Sequence, residues 1–280
     1  MSVIAQKNLQ KDELVYLVKN EKYIKDFVES DTLETNCNSL YVDPTGRNIL
    51  MGEDSIYSGL LNLYQIKDNE LIKTQNDELS DMKPITTRRV AFTDDGKMMA
   101  VVCASNTESR RQIELYCLNN NIATKIDSIS VGMWSGVTGT EDKVDFSTVP
   151  FTFNQDGSLF AIGNRVYKIK NYKFVWGSGC SWGSYVNFGK DNVNLKASNI
   201  KGLAFNGNVL LFHLNTHTIY QIDVNKQDNE VKEFYNLPDS TGYKISDLTI
   251  INNNVWFNAY EEMSDNSTVF CIDIDKKNTI

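Results

Sequence analysis

One short pattern returns along this chain at an almost constant interval. It is an aromatic residue inside an alternating apolar stretch that ends in a polar turn. The aromatic is Tyr64, Tyr116, Tyr167, Tyr220 and then Phe270, at intervals of 52, 51, 53 and 50 residues. The flanks repeat with it: Leu61, Leu63 and Ile66 around Tyr64; Ile113, Leu115 and Leu118 around Tyr116; Ile219 and Ile222 around Tyr220. A further copy centres on Tyr16, 48 residues before Tyr64. A fixed super-period of this length means that one supersecondary unit is copied and stacked, because each copy buries its apolar faces only against its neighbours.

A second pattern precedes each of the last five copies: an apolar run, a tight polar turn, another apolar run. The turns are Asp43-Pro44-Thr45-Gly46, Asp94-Asp95-Gly96-Lys97, Gln155-Asp156-Gly157-Ser158, Asn206-Gly207-Asn208 and Asn252-Asn253-Asn254. Glycine and asparagine supply the positive φ that tight hairpins require. A third strand carries the aromatic, and often a fourth follows, as at 71–74 and 231–235. Four short antiparallel strands about every 50 residues make one blade of a β-propeller.

The chain resembles the WD-repeat and related propellers in Phe92-Thr93-Asp94-Asp95-Gly96-Lys97 followed by 98–102, and in Phe153-Asn154-Gln155-Asp156-Gly157-Ser158 followed by 159–162. Ile113-Glu114-Leu115-Tyr116 is the third-strand counterpart, and the resemblance runs from Ser39 to Asp275. No Trp-Asp dipeptide ends a third strand and no Gly-His opens a blade, so the WD-repeat subtype is not marked. The expected fold class is therefore all-β: a β-propeller of four-stranded antiparallel blades, five to six in number with seven less favoured. A single domain is expected over 1–280, with five repeats of about 50 residues in 32–280. Residues 1–31 are expected to close the ring with strands such as 23–28, removing an exposed edge. A short helix over 12–28 is the rival, since Leu14, Leu17, Val18, Ile24 and Val28 have near-helical spacing. Division of 280 by the period leaves about half a blade over, which favours a composite blade, with 185–195 as one possible contributor.

Composition excludes whole classes of activity. The chain has 280 residues, 28 Lys and Arg against 36 Asp and Glu, and a net charge of −8. That balance disfavours nucleic acid or an anionic membrane as a partner of the whole surface. No apolar run approaches the ~20 residues of a spanning helix. No secretory signal is visible, and the odd set Cys37, Cys103, Cys117, Cys180 and Cys271 contains no C-x-x-C pair. Reduced thiols and an intracellular location are the expectation. His213 and His217 have the spacing of half a zinc site, but no nearby cysteine pair completes it, so no metal and no cofactor is expected. Glu141, Asp142 and Asp145 form an acidic cluster that reads as solvated charge. No Walker loop, nucleophile elbow or dinucleotide fingerprint occurs.

Loop lengths then suggest where a partner would bind. First-to-second turns are short, while 52–59, 105–112, 131–148 and 177–199 read as long segments sharing the opposite face. Long loops on a rigid scaffold are where binding concentrates. That face would carry Tyr57, Arg110, Arg111, Trp134 and Trp182, residue types enriched at interaction hot spots. Trp256, inside a strand, reads as core. The expected function is a non-catalytic protein–protein interaction scaffold within a multi-subunit complex. The alternatives are an enzyme or small-ligand binder using the central channel, and a structural component of a viral or other large particle.

Overall fold

The computed structural model describes residues 37–55, 58–67, 70–74, 87–104, 111–119, 122–130, 149–175, 185–187, 195–226, 230–238, 242–261 and 267–275. These residues are nearly all strand or tight turn. The first sheet holds β1 (Cys37–Val42), β2 (Asn48–Ser55), β3 (Ser58–Lys67) and β4 (Glu70–Lys73). The second holds β5 (Thr87–Phe92), β6 (Met98–Ala104), β7 (Arg111–Asn119) and β8 (Ile122–Ser130). The third holds β9 (Phe151–Phe153), β10 (Leu159–Ile162), β11 (Arg165–Lys170), β12 (Lys173–Phe174) and β13 (Tyr185–Asn187). The fourth holds β14 (Gly202–Asn206), β15 (Val209–His213), β16 (Thr218–Asp223) and β17 (Lys232–Asn236). The fifth has three strands: β18 (Tyr243–Ile251), β19 (Asn254–Glu261) and β20 (Ser267–Asp273). Every pairing is antiparallel between sequence neighbours, except that β13 joins β11. The aromatics of the repeat fall on β3, β7, β11, β16 and β20, so the period of about 51 residues is the interval between successive sheets.

Each sheet packs face to face on the next. Leu50, Leu61 and Leu63 of the first meet Met99, Val101 and Tyr116 of the second. The other face of the second, with Ala100, Ile113 and Leu115, meets Phe153, Phe160 and Tyr167 of the third. Leu159, Ala161 and Val166 then meet Leu203, Phe212 and Ile222 of the fourth. Ala204, Leu211 and Ile219 finally meet Leu248, Val255 and Phe257 of the fifth. The middle sheets are covered on both faces, which explains why 98–103 is apolar at every position rather than at alternate ones. First strands touch one another in the succession β5, β9, β14, β18 and so form the inner edge of the stack. Truncating a residue such as Phe160 or Leu115, both wholly buried, would cost about 2–5 kcal/mol.

The first three sheets share one turn. Asp43, Thr93 and Asn154 are buried polar residues, each accepting at its carbonyl from the amide of the glycine three positions on. The Asp43 carboxylate accepts from the amides of Arg47 and Asn48 (3.1 and 3.2 Å) and from the Thr45 hydroxyl (2.8 Å). The Asn154 side-chain oxygen accepts from the Leu159 amide (2.8 Å), and the Thr93 hydroxyl accepts from the Met98 amide (3.1 Å). These turns nest. A Cβ on Gly157 (φ +71°) would stand 2.8 Å from Thr93 Cγ2, and one on Gly96 (φ +66°) would stand 3.0 Å from the Asp43 carboxylate. Glycine is thus required twice over, by its backbone and by the preceding turn. The fourth and fifth sheets use two-residue turns, with Gly207, Asn252 and Asn253 at positive φ.

Several expectations are corrected. Residues 52–59 are not a long loop: Gly52 pairs with Leu61 and Ser55 with Ser58, so only residues 56–57 separate the two strands. Residues 185–187 belong to the third sheet, where Tyr185 pairs with Tyr167, and are therefore no contribution to a composite blade. Trp256 is not core. It is 38% exposed, because the alternation of β19 sends Val255 and Phe257 into the fourth-to-fifth interface and Trp256 to the opposite face. The segment 1–31, expected to close the ring, lies outside the described residues.

Candidate interaction surface

The residues expected to bind a partner fall mostly beyond the described parts. Tyr57, Arg110, Trp134 and Trp182 lie outside them, as does the acidic cluster Glu141, Asp142 and Asp145. Arg111 opens β7 opposite Ala104. The flanks of the Trp182 segment are informative. On β11, Lys168 accepts from the Val175 amide (2.9 Å), and the preceding residue Tyr167 pairs with Tyr185. Val175 and Tyr185 therefore hold consecutive positions along one edge. The outer strand of the third sheet is interrupted by nine residues, 176–184, that its ladder does not need. The residues of this interval are Trp176-Gly177-Ser178-Gly179-Cys180-Ser181-Trp182-Gly183-Ser184.

The described side chains offer little chemistry. Among the described residues no group of three His, Cys, Asp or Glu could hold a metal ion. His213 is fully buried; its Nδ1 accepts from the Asn215 amide (3.2 Å), and its Nε2 has no hydrogen-bond partner. Burial, aided by the charge of Lys201, lowers its pKa to about 4. A neutral imidazole with no exposed surface, lying against Gly202, is out of reach of a substrate. Arg89, on the inner strand β5, lies 4.7 Å over the Phe151 ring and donates to the Val149 carbonyl (2.6 Å), and burial lowers its pKa. It pins the second sheet to the third. Glu114, buried against the first sheet, accepts from the Tyr116 hydroxyl (2.8 Å) and pairs with Lys125 at 2.5 Å. A shallow depression at the end of the fourth sheet is lined by Asp223, Lys226, Glu230 and Lys232, whose charges pair among themselves.

Apolar surface is the more informative feature. Leu40 and Val42 are 60% and 51% exposed, on the face of the first sheet turned away from the second. Ile251, Trp256 and Val269 are 40%, 38% and 64% exposed, on the face of the fifth sheet turned away from the fourth. On the same two faces Met51, Tyr64 and Cys271 are buried, yet they belong to none of the four interfacial clusters. Sequence reading missed this surface. The signal was present in Val255-Trp256-Phe257 and Val269-Phe270-Cys271-Ile272, which are apolar on both strand faces and so call for cover on both.

No protein-family model matches the chain, and no curated protein matches it by sequence. Solved structures do match in fold. The Dos1 propeller superposes with a TM-score of 0.50 at 10% identity, over 81% of this chain and 52% of that one. A structure from a study of two prolyl endopeptidases gives 0.53 at 11% identity, over 86% of this chain and 33% of that one. A TolB-type protein of Agrobacterium tumefaciens gives 0.46 at 13% identity, over 86% and 78%. With the successive four-stranded antiparallel sheets, the likeness to the Dos1 propeller makes this an all-β chain of the β-propeller type. Among the described residues no helix is long and apolar enough to cross a membrane.

Proposed function

We propose that this chain is a non-catalytic interaction scaffold, a WD-repeat-like propeller subunit of a larger intracellular assembly, folded as one domain over 1–280. The observation that carries the reading is the nine-residue insertion 176–184 between Val175 and Tyr185. An insertion that the ladder does not need, bearing two indoles and three glycines, is suited to meeting another molecule. Arg110, Arg111, Tyr57 and Trp134 extend the proposed contact. The four packed interfaces supply the rigidity that a scaffold needs. The test is affinity purification of the tagged chain from its native source with mass spectrometry, repeated with Trp182→Ala and Arg110→Ala. Stoichiometric partners, depleted in at least one variant, support the reading. Recovery unchanged in both rejects the site, and absence of any partner rejects the function. Closure of the ring by strands of the segment 1–31 belongs to the proposed fold and is independent of the scaffold role.

A further inference from the structure

The hairpin that joins β11 to β12 breaks two local rules at once. It turns through Asn171 and Tyr172, both at positive φ (52° and 61°). Asparagine accepts that backbone readily. A bulky tyrosine is strained there, where glycine would be free of strain. Lys170 and Lys173 then face each other as cross-strand partners, a like-charge pair that weakens a hairpin. The equivalent hairpin of the first sheet sets Lys67 opposite Glu70, and that of the second sets Asn119 opposite Ile122. Packing explains neither departure, since Tyr172 is 51% exposed and Lys168, Lys170 and Lys173 are exposed as well. Alternation puts Lys168 and Lys170 on one face of β11, roughly 7 Å apart, and Lys173 stands on the same face opposite Lys170. Among the described residues none of these three lysines has an ion-pair partner. Local rules broken together at an exposed tip are characteristic of a binding surface.

We infer that Tyr172 with Lys168, Lys170 and Lys173 forms a docking corner for an extended acidic segment of a protein partner. All four side chains end in hydrogen-bond donors, and the lysines can only donate, so the complementary groups are carboxylates. An extended peptide repeats its side chains on one face at the same interval that separates Lys168 from Lys170. The tyrosine adds a broad, stiff contact surface at low entropic cost. Strand addition is not the mode of binding here, because the Phe174 amide already donates to Asp127 Oδ2 of the second sheet (2.8 Å). The neighbouring turn 155–158 lies close by, its Ser158 carbonyl accepting from the Ile169 amide (2.7 Å). Its acid, Asp156, is engaged by the Ser158 amide and hydroxyl (2.9 and 2.6 Å). The chain as a whole carries a net charge of −8, which opposes a long polyanion and favours a short acidic segment over nucleic acid. The inference goes beyond the scaffold reading and makes no use of the interval 176–184.

Fluorescence anisotropy tests this, with the purified full chain titrated into a short labelled peptide of alternating glutamate and serine. A matching peptide of glutamine and serine is the control. The acidic peptide is expected to bind at least about tenfold more tightly than the control, and its affinity should fall as salt rises from about 50 to about 300 mM. Lys168→Ala and Lys170→Ala should each weaken binding about two- to fivefold. Two further variants separate a docking corner from a purely structural hairpin. Lys173→Glu sets opposite charges across the hairpin, and Tyr172→Gly relieves its backbone. Each should weaken binding at least about fivefold while leaving the melting temperature unchanged or higher. Lys226→Met, which removes a positive charge from the end of the fourth sheet, should leave the affinity unchanged. Equal binding of the two peptides overturns the inference, as does an affinity indifferent to the corner variants. A melting temperature lowered by Tyr172→Gly also overturns it, by making the ring structural. Tighter binding of a single-stranded oligonucleotide of equal charge would assign the corner to nucleic acid instead. Partner recovery with Trp182→Ala bears only on the scaffold reading, so the two can fail independently.

Discussion

Gly202 lies directly against the imidazole of His213: a Cβ at position 202 would overlap both Nε2 and Cδ2 of the ring. The two residues are cross-strand partners on β14 and β15, facing the fifth sheet. The ring is buried and held through Nδ1, so it has little room to yield. Gly202→Ala should destabilise the protein by about 1–3 kcal/mol in urea unfolding. Combined with His213→Ala, the alanine at 202 should cost much less than it does alone. An unchanged cost in the double variant would show that the clash is not with His213.

His213 also sets a pH dependence. Its folded pKa of about 4 lies below the ordinary value of 6.5. The unfolded chain therefore binds the proton first. Stability associated with the neutral ring is fully present above pH 6.5 and is lost as pH falls toward 4. The slope approaches about 1.4 kcal/mol per pH unit in the middle of that window. Unfolding free energies measured from pH 7.5 to 4.5 should fall more steeply in the wild type than in His213→Leu. Parallel curves would contradict the assignment.

The turn-opening residues should behave alike in different chemistry. Asp43→Ala removes an acceptor shared by the Arg47 and Asn48 amides, and Asn154→Ala removes the acceptor of the Leu159 amide. Asn154→Ala leaves a buried amide unsatisfied and Asp43→Ala leaves two part-buried ones, and each should cost about 1–3 kcal/mol. Asp43→Asn, which keeps an acceptor, should recover part of that loss. Thermal melts of the three variants provide the comparison.

Two ion pairs should differ in weight. Lys125 pairs with Glu114, whose side chain is 8% exposed, while Lys226 pairs with Asp223, which is 33% exposed. Lys125→Met strands a buried carboxylate and should cost about 1–3 kcal/mol, the partial exposure of the lysine moderating the loss. Lys226→Met should fall within about 0.5 kcal/mol of wild type. Equal effects in denaturant titrations would contradict the placement of Glu114.

Sheet order was legible because it is periodic. The aromatic marks the third strand of each sheet, and the turn signals mark the first hairpin. The conformations at Gly96, Gly157 and Asn252 to Asn253 follow directly from residue type. What alternation alone left open was which face of a strand meets a neighbour. Trp256 sits between two core residues in a strand, and only register places it on the open side of the fifth sheet. The segment 52–59 misled for a different reason. Its Gly52, Glu53, Asp54 and Ser55 have low strand propensity, yet they extend the β2–β3 hairpin through cross-strand pairing. The outer strand of the third sheet was hidden because its two halves are separated by nine intervening residues in sequence and adjacent in register.

The most direct test of the scaffold reading is the native mass of the tagged chain in an extract of its own source. The reading predicts one or more species well above the 31.8 kDa of the chain, of fixed composition and containing other polypeptides. Migration as a 31.8 kDa monomer with no stoichiometric companion would contradict it.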